Sequence, residues 1–145
     1  MNELCRPAES AQIESMRSHE LGEKGEDIVA EYLQANGYEI LARRYKRRGG
    51  EIDVVCCLRE RNDITLLVFV EVKTRRPTQW GRPEQAVSKQ KMGRIYRTAR
   101  IYVHEHKLTE VLCRFDVMAV YWINGRLEID HFEEAFGLGE LMDMD

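Results

Sequence analysis

Apolar positions along the chain change from helical spacing to strand-like runs, and these changes mark the successive elements of the fold. Between residues 21 and 37 apolar side chains recur three or four positions apart and stop at Gly37, which predicts a helix. Three β-branched runs follow, at Tyr38–Tyr45, Glu51–Leu58 and Ile64–Lys73, and each predicts a strand.

The second half of the chain predicts one long helix and two more strands. Helical spacing runs from about Glu84 to His106, with a basic outer surface. The runs Leu112–Trp122 and Leu127–Phe132 are typical of strands, and Asn124-Gly125 between them is a strong two-residue hairpin signal. The predicted order is therefore α-β-β-β-α-β-β, an α/β domain.

The chain of 145 residues has room for one domain with a real core, which we place at residues 21–136. Residues 1–20 are polar and weakly patterned, and we expect a flexible or weakly helical tail there. Residues 137–145 are expected to form a short acidic tail. Neither an internal repeat nor a linker divides the sequence.

Two carboxylates interrupt the apolar strands, Asp53 in the second and Glu71 in the third. Such a carboxylate is costly to bury unless a cation or hydrogen-bond donors meet it. Because strand side chains alternate, Glu71 and Lys73 share one face. If residues 59–63 turn the chain, Asp53 lies opposite Phe69, and Glu71 is next along on the same side. Two carboxylates and an ammonium would then converge, as suits a hard divalent metal beside a water to be activated.

Charge is strongly segregated, although the net charge is only −3. Between Arg43 and Arg100 there are 16 Lys/Arg against 6 Asp/Glu, whereas the rest of the chain has 6 against 19. Basic surroundings of this kind attract polyanions and raise encounter rates. The alternative is that the basic residues only solvate a hairpin and a helix.

Other function classes find little support. The four cysteines form no CxxC pair and have no histidine at zinc-ligand spacing, which is typical of a reducing cytosol. A signal-peptide pattern is missing and no apolar run approaches about 18 residues, so we expect a cytoplasmic protein without a membrane span. Neither GxxxxGK[ST] nor GxGxxG occurs, so no nucleotide cofactor is expected.

Several motifs in combination point to one family. They are Gly25-Glu26 with Tyr32-Leu33, Gly37–Leu41, Gly50–Asp53, Val68–Arg75, Gly81–Pro83 and Arg114–Val117. From about Leu21 to Phe136 the chain resembles the YraN family, bacterial proteins that look like Holliday-junction resolvases of the PD-(D/E)xK nuclease superfamily. The resemblance implies a restriction-endonuclease-like fold, with a central mixed β-sheet flanked by helices and the active site at the mouth of the hairpin. Ile52 stands where the superfamily's name implies a proline.

The resemblance also implies a catalytic set, carried over by position to Glu26, Asp53, Glu71 and Lys73. Asp53, Glu71 and the main-chain carbonyl of Val72 would bind Mg²⁺ or Mn²⁺. Glu26 would reach the metal or its water from the first helix. Lys73 would orient or deprotonate the attacking water and offset phosphate charge.

Basic residues near this set are candidates for binding backbone phosphates, contacts that position nucleic acid without reading its sequence. They are Arg47, Arg48, Arg75, Arg76, Arg82, Lys89 and Arg94. Asp116, two positions from Arg114 in an apolar strand, could line the site, but a structural role is favoured.

The leading hypothesis is a nucleic-acid-binding protein with divalent-metal-dependent, structure-selective endonuclease activity on branched or distorted DNA, in recombination or repair. One alternative is a DNA-binding module without catalysis, and another is a scaffold in a DNA-processing assembly. A homodimer is a further hypothesis, because resolvase-like proteins commonly act as symmetric dimers. The outer strand at residues 127–132 is a candidate for pairing with a second copy.

Overall fold

The computed structural model describes residues 18–75, 87–123 and 126–137. Its elements are helix α1 (Ser18–Ala35), strands β1 (Glu39–Arg47), β2 (Gly50–Glu60) and β3 (Asp63–Arg75), helix α2 (Lys89–Glu105), and strands β4 (Cys113–Ile123) and β5 (Arg126–Phe132). The strands form a sheet in the order β1-β2-β3-β4-β5. The predicted α/β fold class and the order α-β-β-β-α-β-β are confirmed.

The sheet is mixed because β3 and β4 run parallel, whereas the other neighbouring strands are antiparallel. Parallel neighbours need a long crossover, and α2 lies in that connection. The two helices cover opposite faces of the sheet. A central mixed sheet flanked by helices is therefore confirmed as well.

Two apolar cores form because alternate strand side chains point to opposite faces. On one face α1 packs Val29 and Leu33 against Val68, and on the other α2 packs Ile95 against Phe69. Full burial of one such side chain contributes about 1.5–3 kcal/mol. Burial on both faces explains why β3 is a nearly continuous apolar run, so that a carboxylate within it stands out.

The β2–β3 hairpin corrects the predicted register. Val55, not Asp53, lies opposite Phe69. The chain turns tightly at residues 61–62, and a bulge next to the turn shifts the pairing. The difference of two positions leaves every side chain on its predicted face, because the side-chain period of a strand is two. It also brings Asp53 closer to Glu71 than predicted.

Helix α2 begins later than predicted, at Lys89, because Ser88 caps it. The Ser88 hydroxyl accepts a hydrogen bond of 3.1 Å from the backbone N–H of Lys91. This satisfies one of the unpaired N–H groups of the first turn. Val87 lies before the helix, and the predicted residues 84–86 lie outside the described residues.

Several predictions fall at or beyond the edges of the described ranges. Residues 1–17 and 138–145 of the expected tails and the predicted turn Asn124-Gly125 lie outside them. Helix α1 already begins at Ser18. The antiparallel pair of Ile123 with Arg126 brackets the predicted turn. In the described ranges, neither helix has the length and apolar character needed to cross a membrane.

Candidate active site

Asp53 and Glu71 lie side by side where β2 begins and β3 nears its end. Glu71 is 5% exposed, and the Asp53 carboxylate accepts a hydrogen bond of 2.8 Å from the backbone N–H of Val72. Since the N–H and C=O groups of a strand residue point the same way, the Val72 carbonyl is directed to the same side. Both carboxylates line a cavity of about 200 Å³, together with Lys91 and Arg94.

The environment of Asp53 disfavours its ionised form. Burial is the largest cause that raises the pKa of Asp53, to about 7, and the negative charge of Glu71 adds to it. The Val72 hydrogen bond acts in the opposite direction. A carboxylate destabilised by burial and by a like charge is a group that a cation would stabilise.

Two ammonium groups approach the same oxygen of Glu71. Lys73 Nζ lies 3.4 Å and Lys91 Nζ lies 2.5 Å from Glu71 Oε1. Burial lowers the pKa of Lys73 and the neighbouring Lys91 lowers it further, while Glu71 raises it. The structure thus brings together three of the sequence-predicted site residues, with Lys91 in addition.

Glu26 approaches this site from α1. Its side chain is 15% exposed, its Oε1 accepts a hydrogen bond of 3.2 Å from Arg44 Nε, and its charge acts on Asp53. Gly25 permits the approach, because a Cβ there would overlap the hydroxyl of Thr74 on β3. The lack of a side chain at residue 25 therefore sets how closely Glu26 comes to the strands.

Helix α2 approaches the site from the other face at Gly50. A Cβ at Gly50 would overlap the Thr98 hydroxyl and lie 3.1 Å from the carbonyl oxygen of Arg94. This close packing places the first turns of α2, with Lys91 and Arg94, over the start of β2.

The carboxylates of the site are groups that could bind a metal ion, but Glu71 and Glu26 form ion pairs with basic side chains. Carboxylate and carbonyl oxygens are the ligands that Mg²⁺ and Mn²⁺ prefer. Among the described residues, however, no three His, Cys, Asp or Glu side chains are grouped closely enough to hold a metal ion. Glu71 contacts two lysines, and Glu26 contacts Arg44. A metal held by Asp53, Glu71 and Glu26 together would therefore require at least one of the two glutamates to leave its cationic partner.

Of the predicted phosphate-binding residues that the structure describes, Arg94 lines this cavity. Arg94 is exposed, and Lys89 is exposed in the first turn of α2. Arg75 is half-buried at the end of β3, and Arg48 is exposed in the turn between β1 and β2.

The guanidinium of Arg47 contacts other side chains of the chain and is not placed at the cavity. Arg47 Nε lies 2.9 Å from Glu105 Oε1, and the guanidinium lies 4.1 Å above the Tyr45 ring. Arg76 and Arg82 are outside the described residues.

Sequence reasoning missed Lys91 as a site residue. A signal was present, because the first turn of α2 contains Lys89 and Lys91 and no acidic residue. The helix macrodipole favours acidic residues at an N-terminus. Lysines at that position indicate a partner outside the helix, which the structure identifies as Glu71 in the case of Lys91.

Asp116 belongs to a separate buried network. Its carboxylate accepts hydrogen bonds of 2.8 Å from both Nε and Nη2 of Arg114, one of 2.6 Å from His131 Nε2, and one of 3.1 Å from the Glu134 N–H. Arg114 also donates to the Tyr38 hydroxyl at 2.7 Å. These bonds join β4 to β5 and to the residue before β1, in agreement with a structural role.

The fold and the site define an α/β protein with a mixed sheet and a buried carboxylate–lysine cluster at one end of a hairpin. Residues 25–120 match the Uncharacterised protein family UPF0102, a range that includes the whole cluster. The chain belongs to this family, which is the YraN family.

Similar bacterial proteins cover nearly the whole domain. A UPF0102 protein of Syntrophomonas wolfei is 40% identical over 119 residues, which are 82% of this chain and 99% of the relative. One of Prosthecochloris aestuarii is 40% identical over 128 residues, covering 84% and 97%. One of Syntrophotalea carbinolica is 42% identical over 116 residues, covering 80% and 90%.

Proposed function

We propose that this protein is a divalent-metal-dependent, structure-selective endonuclease that hydrolyses phosphodiester bonds of branched or distorted DNA. The observation that carries the proposal is that Asp53 and Glu71 adjoin in one cavity, with the Lys73 ammonium 3.4 Å from Glu71. Two adjacent carboxylates beside an amine suit phosphodiester hydrolysis, which needs a held cation and a proton acceptor.

The proposed roles follow from the position of each group. Asp53 and Glu71 would hold Mg²⁺ or Mn²⁺, with the Val72 carbonyl and Glu26 as further ligands. The bound ion would activate a water and neutralise charge on the phosphate. Lys73 would orient that water or accept its proton, and the lowered pKa of Lys73 favours the neutral amine that such acceptance needs.

Nucleic acid is supported as the substrate class by the charge around the cavity. The segment from Arg43 to Arg100 has 16 Lys/Arg against 6 Asp/Glu, and Arg94 is exposed on the cavity wall. Such residues bind phosphates without reading bases. Branched DNA, rather than a base sequence, is proposed from the resemblance to junction resolvases.

The test is cleavage of a four-way junction, a flap and a linear duplex in Mg²⁺, in Mn²⁺ and in EDTA. We expect metal-dependent cutting of the branched substrates, reduced at least about 100-fold in Asp53→Asn and in Lys73→Met. Asp63→Asn is the matched control, since Asp63 is exposed at the opposite end of the same hairpin. Cutting in EDTA, or equal cutting by all variants, would contradict the assignment.

A DNA-binding module without catalysis is the second candidate. The observation that favours it is that Glu71 and Glu26 contact lysines and Arg44 rather than each other. Junction binding that weakens steeply with salt, without cutting by the wild-type protein in either metal, would select this candidate.

Paired cuts across a junction would also require two copies of the chain, and we propose a symmetric homodimer for that reason. Among the described strands, β1 and β5 lie at the edges of the sheet, the positions at which a strand of a second copy could pair. Sedimentation analysis with and without junction DNA measures the mass directly.

A further inference from the structure

Lys91 contacts Glu71, one of the two carboxylates to which the proposed function assigns the metal. Its Nζ lies 2.5 Å from Glu71 Oε1, and its positive charge also acts on Asp53. Both carboxylates and Lys91 line the same cavity of about 200 Å³. An ammonium therefore already compensates the negative charge that a divalent ion would compensate.

The charge of Glu71 is compensated without a metal. This carboxylate is almost fully buried, and the amino groups of Lys73 and Lys91 both approach its Oε1. A divalent ion would add two positive charges to this enclosed space. Like charges so close repel strongly in a buried site, so entry of an ion favours the removal of a positively charged group from Glu71.

Lys91 is the ammonium that can leave. The side chain of Lys91 is 35% exposed, whereas that of Lys73 is 17% exposed and belongs to the same strand as Glu71. Lys91 reaches the cavity from a different element, the first turn of α2, on a flexible four-carbon stem. Because part of the side chain is already exposed, a change of rotamer is the movement that we expect to bring its charge toward solvent.

The direction in which Lys91 would move leads to the proposed phosphate-binding surface. Arg94 follows Lys91 by three residues, so the two side chains lie on the same side of α2. Arg94 is exposed and lines the cavity. An ammonium displaced from Glu71 would join this guanidinium at the mouth of the cavity.

We propose that Lys91 is a stand-in for the divalent metal, a positioning residue that neutralises Glu71 and Asp53 in the metal-free protein and is displaced when the ion binds. The inference rests on the proposed metal-dependent function. The displaced ammonium then binds a phosphate of the DNA beside Arg94. Metal binding and DNA binding are thereby coupled through one side chain.

The test is the affinity for Mn²⁺ measured by calorimetry without DNA. If the state with Lys91 on Glu71 outweighs the open state about tenfold, Lys91→Met should bind Mn²⁺ about tenfold more tightly than the wild type. Lys91→Arg retains the charge and should keep the wild-type affinity. Arg97→Met, which removes a positive charge at an exposed position of the same helix outside the cavity lining, should leave the affinity within about twofold.

A second readout follows the side chain itself. In protein labelled with ¹³C at the lysine ε position, the Lys91 resonance, assigned by its loss in Lys91→Met, should move on addition of Mg²⁺. Lys91→Met should also melt at a lower temperature in EDTA and regain that loss in Mg²⁺. A lysine with a merely structural ion pair would lose stability equally in both buffers.

The outcomes separate this inference from the proposed function. Weaker or unchanged Mn²⁺ binding by Lys91→Met, with metal-dependent cutting by the wild type, would overturn the role of Lys91 and leave the endonuclease in place. Failure of both proteins to bind Mn²⁺ would overturn the metal site and the inference together.

Discussion

The buried network around Asp116 gives the prediction whose magnitude is best defined by the structure. Asp116 is fully buried, and each of its two oxygens accepts two hydrogen bonds. In Asp116→Asn, one oxygen is replaced by an NH₂ group. That group would point its hydrogens at donors, since Asp116 Oδ2 accepts from Arg114 Nη2 and from His131 Nε2.

The expected cost is large because the guanidinium of Arg114 loses its buried counter-charge. Removing one member of a buried ion pair lowers the free energy of unfolding by about 3–5 kcal/mol. Most of this comes from two charge-assisted hydrogen bonds, at about 1.5–3 kcal/mol each. At about 2–4 °C per kcal/mol for a chain near this size, the melting temperature should fall by roughly 10 °C.

The hydrogen bonds around Asp116 also predict how the free energy of unfolding depends on pH. Burial alone raises the pKa of Asp116, but the hydrogen bonds from His131 and Arg114 outweigh it, so the folded-state pKa lies below the usual value. The stabilisation is therefore fully present above the unfolded pKa of about 3.9 and is lost as the pH falls through the folded pKa. The difference in unfolding free energy between wild type and Asp116→Asn should shrink over that acidic range.

The assay is urea denaturation of both proteins between pH 7 and pH 3. Glu133→Gln is the control, because Glu133 lies 3.7 Å from the same Arg114 but its side chain is 59% exposed. We expect Glu133→Gln to change the unfolding free energy by less than about 1 kcal/mol. A cost below about 1 kcal/mol for Asp116→Asn at pH 7 would refute the reasoning, and so would a difference that grows toward pH 3.

Two further predictions concern helix placement and DNA binding. Gly25→Ala should cost about 1–3 kcal/mol in unfolding free energy, because the new Cβ overlaps the Thr74 hydroxyl, whereas Gly22→Ala in the same helix should gain about 0.5–1 kcal/mol since nothing lies within 4 Å. Equal effects in thermal denaturation would contradict the close approach of α1 to β3. In DNA-binding titrations against salt, Arg94→Ala should reduce the slope of log K by about 0.9. Arg47→Ala should leave the slope unchanged, because Glu105 of α2 already neutralises the Arg47 guanidinium.

The element order and the faces of the strands could be predicted from the sequence because both depend on local periodicity. Apolar spacing defines α1 and the five strands, and alternation assigns Glu71 to the side of Phe69. The predicted register between β2 and β3 is wrong, yet the faces are right, because the turn and the bulge together shift the pairing by two positions, an even number.

The start of α2 and the partners of charged side chains could not be predicted in the same way. Helical periodicity continues before Ser88, and only the hydrogen bond of its hydroxyl shows that the helix begins after it. The contact of Arg47 with Glu105 spans 58 positions, and that of Lys91 with Glu71 joins a helix to a strand. Such contacts depend on how the layers are stacked, which no local pattern contains.

The buried position of Glu71 makes metal binding measurable through stability, without any DNA substrate. A ligand that binds only the folded state stabilises it by about 2.7 kcal/mol at a concentration of 100 Kd. If the ion displaces the ammonium of Lys91 from Glu71, as proposed, the observed Kd already includes that cost, and the same gain requires a higher metal concentration. A basic face is expected both of an endonuclease and of a pure DNA-binding module, so DNA affinity does not separate the two. A rise in melting temperature with Mg²⁺ that disappears in Asp53→Asn does separate them, because only the endonuclease needs these carboxylates to exchange an ammonium for a metal.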